Sequence, residues 1–367
     1  DVKAVYFEAL FPLLDNLELN VAGRFDEYSD YGNDFAPKVA LRWQPLDSLT
    51  LRASYGQGFR APTLDIVGQQ PAFGADGIAD PQTCIAFGQA AGCSTQVTSY
   101  TIANPNVSSE QSDQFSLGAA WDATDWLNLT LDYYNIEIEN QLAFFDTAAL
   151  VDCLNGTSTV CPTGISNLPS TIVPPDPSLG LGVSRDPVSG AILYSQIGYS
   201  NLGTIETDGF DFNVRTQFDL GGWGELRNAL QVSYVNDYEV NNGGDVIGEP
   251  GSPRFRANLM NQWTFGDFAV TWNISHIDGT RSSQAALIDA FGSAADYGYA
   301  LTLPSWTTHD VQLTWNAPWN GRLSIGVNNV ADKDPVLDPL DGGGRGFNFN
   351  LYDGYGRVTY VNYTHTF

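Results

Sequence analysis

The four cysteines are the residues whose type and spacing most directly suggest chemistry. They form two close pairs, Cys84 with Cys93 and Cys153 with Cys161. Each pair lies in a stretch rich in Gly, Pro and Ser, which is typical of disulfides that close loops in an oxidising compartment. Zinc is the alternative, but no histidine lies near either pair and neither has CxxC spacing. We therefore expect two disulfides and no metal site.

Paired carboxylates such as Asp26 with Glu27 do not form a catalytic constellation, because no nucleophile or phosphate-binding loop accompanies them at a useful spacing. The Gly-Gln-Gly segment at 56–58 has no helical pattern after it, so it is not a dinucleotide-binding fingerprint. Asp-rich segments at 332–334 and 338–341 leave weak Ca²⁺ binding open, although their spacing differs from that of an EF-hand loop. We predict that the chain is not an enzyme and has no cofactor.

A second set of chemically capable residues consists of charged side chains that recur at alternate positions within otherwise apolar segments. Alternate side chains of a β-strand share one face. A charge that faced lipid would cost a few kcal/mol near the bilayer midplane, so we expect these residues to face the lumen of a barrel. The lumen-facing candidates are Arg24, Lys38, Arg42, Arg52, Asp132, Asp211, Arg215, Arg227, Arg256 and Asp310.

The elements that must position these charges are alternating β-strands. The last segment, 357–367, alternates strictly, with Thr359, Val361, Tyr363 and Phe367 on one face. Similar segments recur along the whole chain, and we count about thirteen strands. No apolar run approaches the ~20 residues that a membrane helix needs. A chain of this pattern that spans a membrane must therefore form a barrel, because lipid leaves no backbone group unpaired.

Tight turns alternate strictly with long connections in this pattern. A soluble β-sandwich is the alternative fold, but loops of this length are uncommon in compact soluble domains. Short periplasmic turns and long extracellular loops are typical of outer-membrane barrels. The long loops lie near 61–110, 141–200, 240–252, 280–304 and 332–352. Tryptophans close to the tight turns predict an interfacial girdle; they are Trp43, Trp121, Trp126, Trp223, Trp263, Trp315 and Trp319.

The net charge limits the possible binding partners, and the odd number of strands indicates how much of a barrel this chain forms. A net charge of −26, from 42 acidic and 16 basic residues, argues against binding to nucleic acid. An odd number of strands is unusual for a bacterial single-chain barrel. We therefore expect residues 1–367 to be the C-terminal portion of a larger antiparallel transmembrane β-barrel, in the bacterial cell outer membrane.

Three motifs resemble the TonB-dependent receptor family. The segment 54–64, Ser-Tyr-Gly-Gln-Gly-Phe-Arg-Ala-Pro-Thr-Leu, is similar to the Tyr-Gly-x-Gly-Phe-Arg-Ala-Pro strand end of those receptors. Asn-Pro-Asn at 104–106, followed by 110–113, resembles their Asn-Pro-x-Leu-x-Pro-Glu region. The segment 326–335 and the terminal strand ending at Phe367 complete the resemblance in order and spacing, across essentially the whole chain.

The resemblance implies a twenty-two-stranded barrel blocked by an N-terminal plug, which this chain lacks. It implies import of a scarce nutrient (a siderophore, cobalamin or oligosaccharide) with energy from the TonB complex acting through the plug. Tyr363 and Phe367 would form the C-terminal signal for the barrel-assembly machinery. The inward charges would pair with one another and with the plug, or would guide an anionic ligand such as a ferric siderophore. The alternatives are a plugless passive channel, an adhesive barrel, and a secreted soluble β-protein.

Overall fold

The structure is a computed structural model that describes residues 1–158, 160–241, 243–341 and 346–366. Its strands, in chain order, are β1 Val2–Leu14, β2 Leu17–Tyr28, β3 Gly32–Leu46, β4 Leu49–Arg60, β5 Ala72–Ile78, β6 Thr95–Thr101, β7 Glu110–Thr124, β8 Leu127–Glu139, β9 Leu142–Phe145, β10 Ser166–Leu168, β11 Gly182–Arg185, β12 Ile192–Asn201, β13 Thr204–Asp219, β14 Glu225–Val240, β15 Phe255–Phe265, β16 Phe268–Ile277, β17 Thr280–Arg281, β18 Thr302–Leu303, β19 Trp306–Ala317, β20 Gly321–Asn328 and β21 Val358–His365. The helices are α1 Leu64–Gly68, α2 Pro81–Ala86, α3 Thr147–Asn155 and α4 Ser283–Phe291, with short 3₁₀ turns at Pro177–Leu179, Gly221–Trp223 and Gly292–Ala295.

Thirteen long strands form one antiparallel sheet, in the order β1-β2-β3-β4-β7-β8-β13-β14-β15-β16-β19-β20-β21 over the described residues. We call this sheet the wall. It confirms the predicted antiparallel fold and strand count. The wall is not closed, since β1 and β21 do not pair with each other. In the same part of the chain, no helix combines the length and apolarity required to cross a membrane.

The connections differ in length at the two ends of the wall. At one end, neighbouring strands are joined by turns of two to five residues, such as the turn at 266–267 between β15 and β16. We call this the turn end. At the opposite end, which we call the loop end, long connections occupy 61–109, 140–203, 241–254, 278–305 and 329–357.

The predicted strict alternation of tight turns and long loops is wrong at one position. Strands β2 and β3 are joined at the loop end by residues 29–31 only. Acidic residues on both strands resemble a loop in sequence, yet the ladder continues to the pair Asp26 and Asp34. Arg24 donates hydrogen bonds to Asp26, and Tyr31 donates one to Asp34, so the carboxylates are satisfied within the hairpin.

Each wall strand has an apolar face and a polar face. Residues directly opposite each other in a ladder share a face. For example, Leu259 lies opposite Ile274, whereas the adjacent pair Asn258 and Ser275 faces the other way. The predicted girdle tryptophans in the strands lie close to the turn end, where Trp263 pairs with Val270.

The largest hydrophobic core of the described residues lies in the loops rather than in the wall. Strands β5, β6 and β9–β12 form a second sheet from the two longest connections. Helix α3 packs on this sheet, where Leu150 contributes to a buried cluster with Val183, Ile102 and Ile197. We call the described parts of 61–109 and 140–203 the loop module. The wall has no comparable core because it is a single layer with both faces open.

A smaller buried cluster joins the last two long connections. Trp306, the first residue of β19, packs with Val336 and Tyr352. The side chain of Asp338 accepts hydrogen bonds from the backbone and hydroxyl of Ser283, at the first residue of α4. A carboxylate at a helix N-terminus satisfies a free backbone donor and favours the helix dipole. The last long connection is thereby attached to the preceding one.

Candidate functional site

Strand register brings all ten predicted lumen-facing charges to the same face of the wall, its polar face. Five of them lie in one continuous row of cross-strand neighbours, in which Asp132, for instance, lies opposite Asp211. We call this row the charged row; it runs Glu18, Arg42, Arg52, Gly118, Asp132, Asp211, Ser233 and Arg256. The others lie on the same face outside the row and are Arg24, Lys38, Arg215, Arg227 and Asp310.

The best-defined contact of the charged row joins Arg52 and Asp132. The Arg52 guanidinium donates to both carboxylate oxygens, at 2.9 Å from Nε to Oδ1 and 2.5 Å from Nη2 to Oδ2. Gly118 lies between them on the intervening strand. Because glycine has no side chain, the guanidinium can cross that strand and form the two-pronged geometry in which arginine binds carboxylates best.

Most other charges of the polar face are also paired. Arg24 donates to both oxygens of Asp26 at 2.7 Å each. Arg227 pairs with Glu225 on the same strand. Two carboxylates are satisfied by neutral donors instead. Asp211 accepts a hydrogen bond from the hydroxyl of Ser233 at 2.6 Å, and Asp310 accepts one from the Asn329 backbone at 2.7 Å.

Three predicted cations have no ionic partner among the described residues. They are Lys38, Arg215 and Arg256, and none of them forms an ion pair within 4.0 Å. The polar face therefore presents cations that no ion pair occupies, beside carboxylates such as Asp211 and Asp310 that have no cationic partner among the described residues. Unpaired cations attract anions in solution.

Arg215 and Arg227 line a depression of about 650 Å³ at the turn end of the polar face. Its other polar groups are mainly side-chain amides, including that of Asn258, together with the carboxylates of Asp122 and Asp125. Met260 and Trp126 supply apolar surface. Arginines, amides and apolar surface can hold an organic molecule that carries an anionic group, and the two carboxylates limit how much negative charge it can carry. The depression holds no serine, cysteine or histidine that could act as a nucleophile or base. Within the described residues, no cluster of three His, Cys, Asp or Glu side chains could hold a metal ion.

Both cysteine pairs form disulfides within the loop module. Cys84 is bonded to Cys93 and Cys153 to Cys161. Each bridge closes a short segment at the end of a helix, α2 or α3. The loop module thus combines two covalent links with its own hydrophobic core.

Sequence reasoning missed the ion pair that joins the two halves of the loop module. Asp80 accepts two hydrogen bonds from Arg185, each of 2.9 Å, and is only 3% exposed. Burial alone would raise the pKa of Asp80, but hydrogen bonds from Arg185 and Thr83 outweigh it and lower the pKa to about 2. Asp80 before Pro81 is a recognisable helix start, but nothing local in the sequence indicates the distant Arg185.

The predicted C-terminal signal is described only in part. Tyr363 lies in β21 opposite Leu323, and its hydroxyl accepts a hydrogen bond from the Trp319 indole at 3.2 Å. Phe367 lies outside the described residues.

The family model for the β-barrel of TonB-dependent receptor-like proteins matches residues 1–330. The chain belongs to the TonB-dependent receptor β-barrel family. This assignment confirms the resemblance found in the sequence motifs, and both the family and the fold are those of receptors. A comparison with curated proteins finds no match.

Solved structures of similar fold agree with the assignment of this chain to the receptor-barrel family. The siderophore receptor PirA from Acinetobacter baumannii is 15% identical with a TM-score of 0.66, over 100% of this chain and 46% of that chain. A mutant of the ferric enterobactin receptor PfeA from Pseudomonas aeruginosa is 16% identical with a TM-score of 0.66, over 100% of this chain and 45% of that chain. The receptor barrel therefore spans slightly less than half the length of these neighbours. At such identities the likeness establishes the fold alone.

Proposed function

We propose that this receptor barrel binds a scarce anionic nutrient at the outer membrane and conducts it through the lumen with TonB-supplied energy. The observation that supports this most directly is the set of unpaired cations on the polar face, Lys38, Arg215 and Arg256. Several structural neighbours are named siderophore receptors, so a ferric siderophore is the first ligand class to test. Cobalamin and oligosaccharides are the other classes to test.

The proposal assigns the polar face to the lumen and the apolar face to outer-membrane lipid. Apolar side chains such as Leu131, Leu313 and Ile325 are about half exposed in the wall, and transfer of such surface into hydrocarbon is favourable. A spin label at Leu131 should be reached by a lipid-soluble quencher. A label at Thr130, on the opposite face of the same strand, should be reached by a water-soluble one. The reverse result would contradict the assignment.

The wall needs further polypeptide to act in this way. Its edge strands, β1 and β21, each have one edge without a partner strand, and an open sheet edge is not tolerated in lipid. We propose that additional strands complete a barrel of the twenty-two-stranded type, that a plug domain fills it and contacts the TonB complex, and that the barrel-assembly machinery inserts it. The length relative to the structural neighbours supports this.

Uptake of radiolabelled ferric enterobactin by cells that produce the receptor tests the function. We expect uptake that requires both the receptor and an intact TonB complex, and that falls when Arg215 and Arg256 are replaced by glutamine. The matched control replaces Arg42 by glutamine, because Arg42 lies on the same face, already pairs with Glu18 and does not line the depression. Uptake that is independent of TonB would favour a passive channel. Absence of uptake with cobalamin, oligosaccharides and siderophores alike would overturn the proposal.

A further inference from the structure

A groove crosses the apolar face of the wall obliquely, from β3 and β4 through β7 and β8 to β13. Its volume is about 400 Å³. Arg52 and Gly118 also border it, but through their backbone, because the Arg52 side chain crosses Gly118 on the opposite face to reach Asp132. The side chains that line the groove are aliphatic or aromatic: Leu41, Trp43, Leu51, Ala53, Leu117, Ala119, Leu131, Tyr133 and Phe210.

Two alanines form the floor of this groove. Ala53 lies directly opposite a leucine on each neighbouring strand, and so does Ala119. Because Ala53 pairs with Leu117 and Ala119 pairs with Leu51, the two alanines are diagonal neighbours on β4 and β7. A methyl group between two longer side chains leaves a depression in the surface, and two such depressions side by side form a continuous trough.

The walls of the groove are large apolar side chains that remain open to the surroundings. Trp43 is 44% exposed, Leu131 48% and Phe210 40%. Apolar surface of this kind is stabilised by an apolar neighbour. The apolar face is proposed above to contact outer-membrane lipid, and the occupant of the groove rests on that proposal. A flexible acyl chain can follow the trough and bury its methylene groups there.

Carboxylates on the same face determine which lipid suits the groove. Asp113, Glu137, Glu206 and Glu239 lie directly opposite one another on β7, β8, β13 and β14, and we call them the carboxylate row. Glu137 follows Tyr133 by four residues on β8, which is roughly 13 Å at the usual strand rise. Among the described residues, none of the four forms an ion pair within 4.0 Å. A cationic headgroup is attracted to this row, and an anionic one is repelled.

The same carboxylates disfavour a second copy of the chain in the groove. In a two-fold contact each surface patch meets its own equivalent. Two copies that met at their grooves within one membrane would therefore bring their carboxylate rows to the same height and close together. The repulsion acts equally against a lipid whose headgroup has a net negative charge.

We propose that this groove binds an acyl chain of an aminophospholipid of the phosphatidylethanolamine type. The acyl chain fills the trough above Ala53 and Ala119. The ammonium group of the headgroup lies toward the carboxylate row, where it supplies positive charge to Glu137 and Glu206.

Native mass spectrometry of the complete receptor, purified in detergent from outer membranes and freed of lipid, tests the proposal. The probes are phosphatidylethanolamine and phosphatidylglycerol with identical acyl chains. We expect phosphatidylethanolamine to bind with a preference of about two- to fivefold, the effect of an exposed charge interaction. Glu206→Gln should reduce that preference. Glu225→Gln, at a carboxylate on the polar face beside Arg227, should leave it unchanged.

Filling the floor of the groove tests the position of the acyl chain. The double variant Ala53→Leu, Ala119→Leu should weaken binding of phosphatidylethanolamine by at least about fivefold, because the chain loses the surface that buries it. Ala257→Leu is the matched control, since Ala257 lies on the same face of β15, opposite Val232, and does not line the groove. Urea unfolding in detergent identifies any variant that has lost its fold.

Equal binding of the two lipids, or equal effects of Ala257→Leu and of the double variant, would overturn the proposal. A receptor dimer that the double variant dissociates would also overturn it, because the groove would then belong to a second copy. The spin label at Leu131 separates this inference from the proposed function. If that label contacts lipid but no phospholipid is retained, only the groove assignment fails. If the label is shielded from the lipid-soluble quencher, the assignment of the apolar face fails as well.

Discussion

Arg52 and Asp132 form a two-pronged ion pair across a strand that belongs to neither of them. The crossing is possible because the intervening residue is Gly118. A side-chain carbon at that position would overlap the Asp132 carboxylate and lie 2.6 Å from Arg52 Nε. The Arg52–Asp132 ion pair therefore requires a glycine at position 118.

Gly118→Ala should therefore destabilise the receptor barrel by about 1–3 kcal/mol, the usual cost of overpacking. Gly56→Ala is the matched control, because Gly56 lies on the same face of the adjacent strand and its added carbon would be 3.4 Å from the nearest atom, Lys38 Cγ. The free energy of unfolding in urea, measured in detergent, distinguishes the two. Equal shifts for both variants would show that the crossing contributes nothing specific.

The Asp80–Arg185 pair predicts how the loop module responds to pH. The pKa of Asp80 is about 2 in the folded protein against an ordinary 3.8. A lowered folded pKa contributes stability above the unfolded value, and that stability is lost as pH falls from about 4 to about 2. Protection of the module core against hydrogen exchange, relative to the intrinsic amide rate at each pH, should fall over this window, while protection of the wall strands should change less.

Asp80→Asn should remove about 2 kcal/mol from the module at neutral pH and have little effect near pH 2. It leaves the half-buried Arg185 guanidinium without a counter-charge. The double variant Asp80→Asn, Arg185→Met removes both charges and should recover part of the loss. Equal hydrogen exchange in all three proteins at neutral pH would contradict the role given to this pair.

Local patterns in the sequence were sufficient to predict the wall. A side-chain period of two assigns a face to every residue in a strand, so the face shared by Arg42, Arg52 and Asp132 followed from parity alone. The alternation did not predict which of these charges form ion pairs, because a contact between strands depends on their register. Arg52 and Asp132 are 80 residues apart in sequence, and the register between their strands is set by connections that the pattern does not describe.

The loop module was beyond prediction for a related reason. Asp80 and Arg185 are 105 residues apart, and the strands that bring them together are short and weakly alternating. The β2–β3 hairpin departs from the expected alternation of tight turns and long loops. Its ladder extends to Asp26 and Asp34, because Arg24 and Tyr31 supply their hydrogen-bond partners.

The second disulfide should stabilise the module locally. Cys153 and Cys161 are separated by 8 residues, and closing a segment of that length contributes about 2–3 kcal/mol through the unfolded chain. Replacing both cysteines by serine should accelerate hydrogen exchange in α3 and in the adjacent core around Leu150. The wall strands, which this bridge does not cross-link, serve as the internal reference. Uniform acceleration throughout the chain would argue against a local effect.

Carboxylates on the apolar side of the wall predict a stabilising substitution. Near the loop end, Asp113, Glu137, Glu206 and Glu239 lie directly opposite one another on four consecutive strands. They have the same parity as Tyr133 and Phe210, which belong to the apolar face. Like charges directly opposite each other in a sheet are destabilising by roughly 0.2–1 kcal/mol per pair. Glu206 has such a neighbour on both sides.

Glu206→Gln should therefore raise the thermal midpoint of the receptor barrel in detergent, and the gain should shrink at high salt because the repulsion is screened. Glu225→Gln is the matched control on the neighbouring strand, since it removes the partner of Arg227 and should leave stability unchanged or slightly lower it. A lower thermal midpoint for Glu206→Gln at low salt would contradict this prediction. It would indicate that bound cations neutralise the four carboxylates, because without bound positive charge a protein with three aligned carboxylates is more stable than one with four.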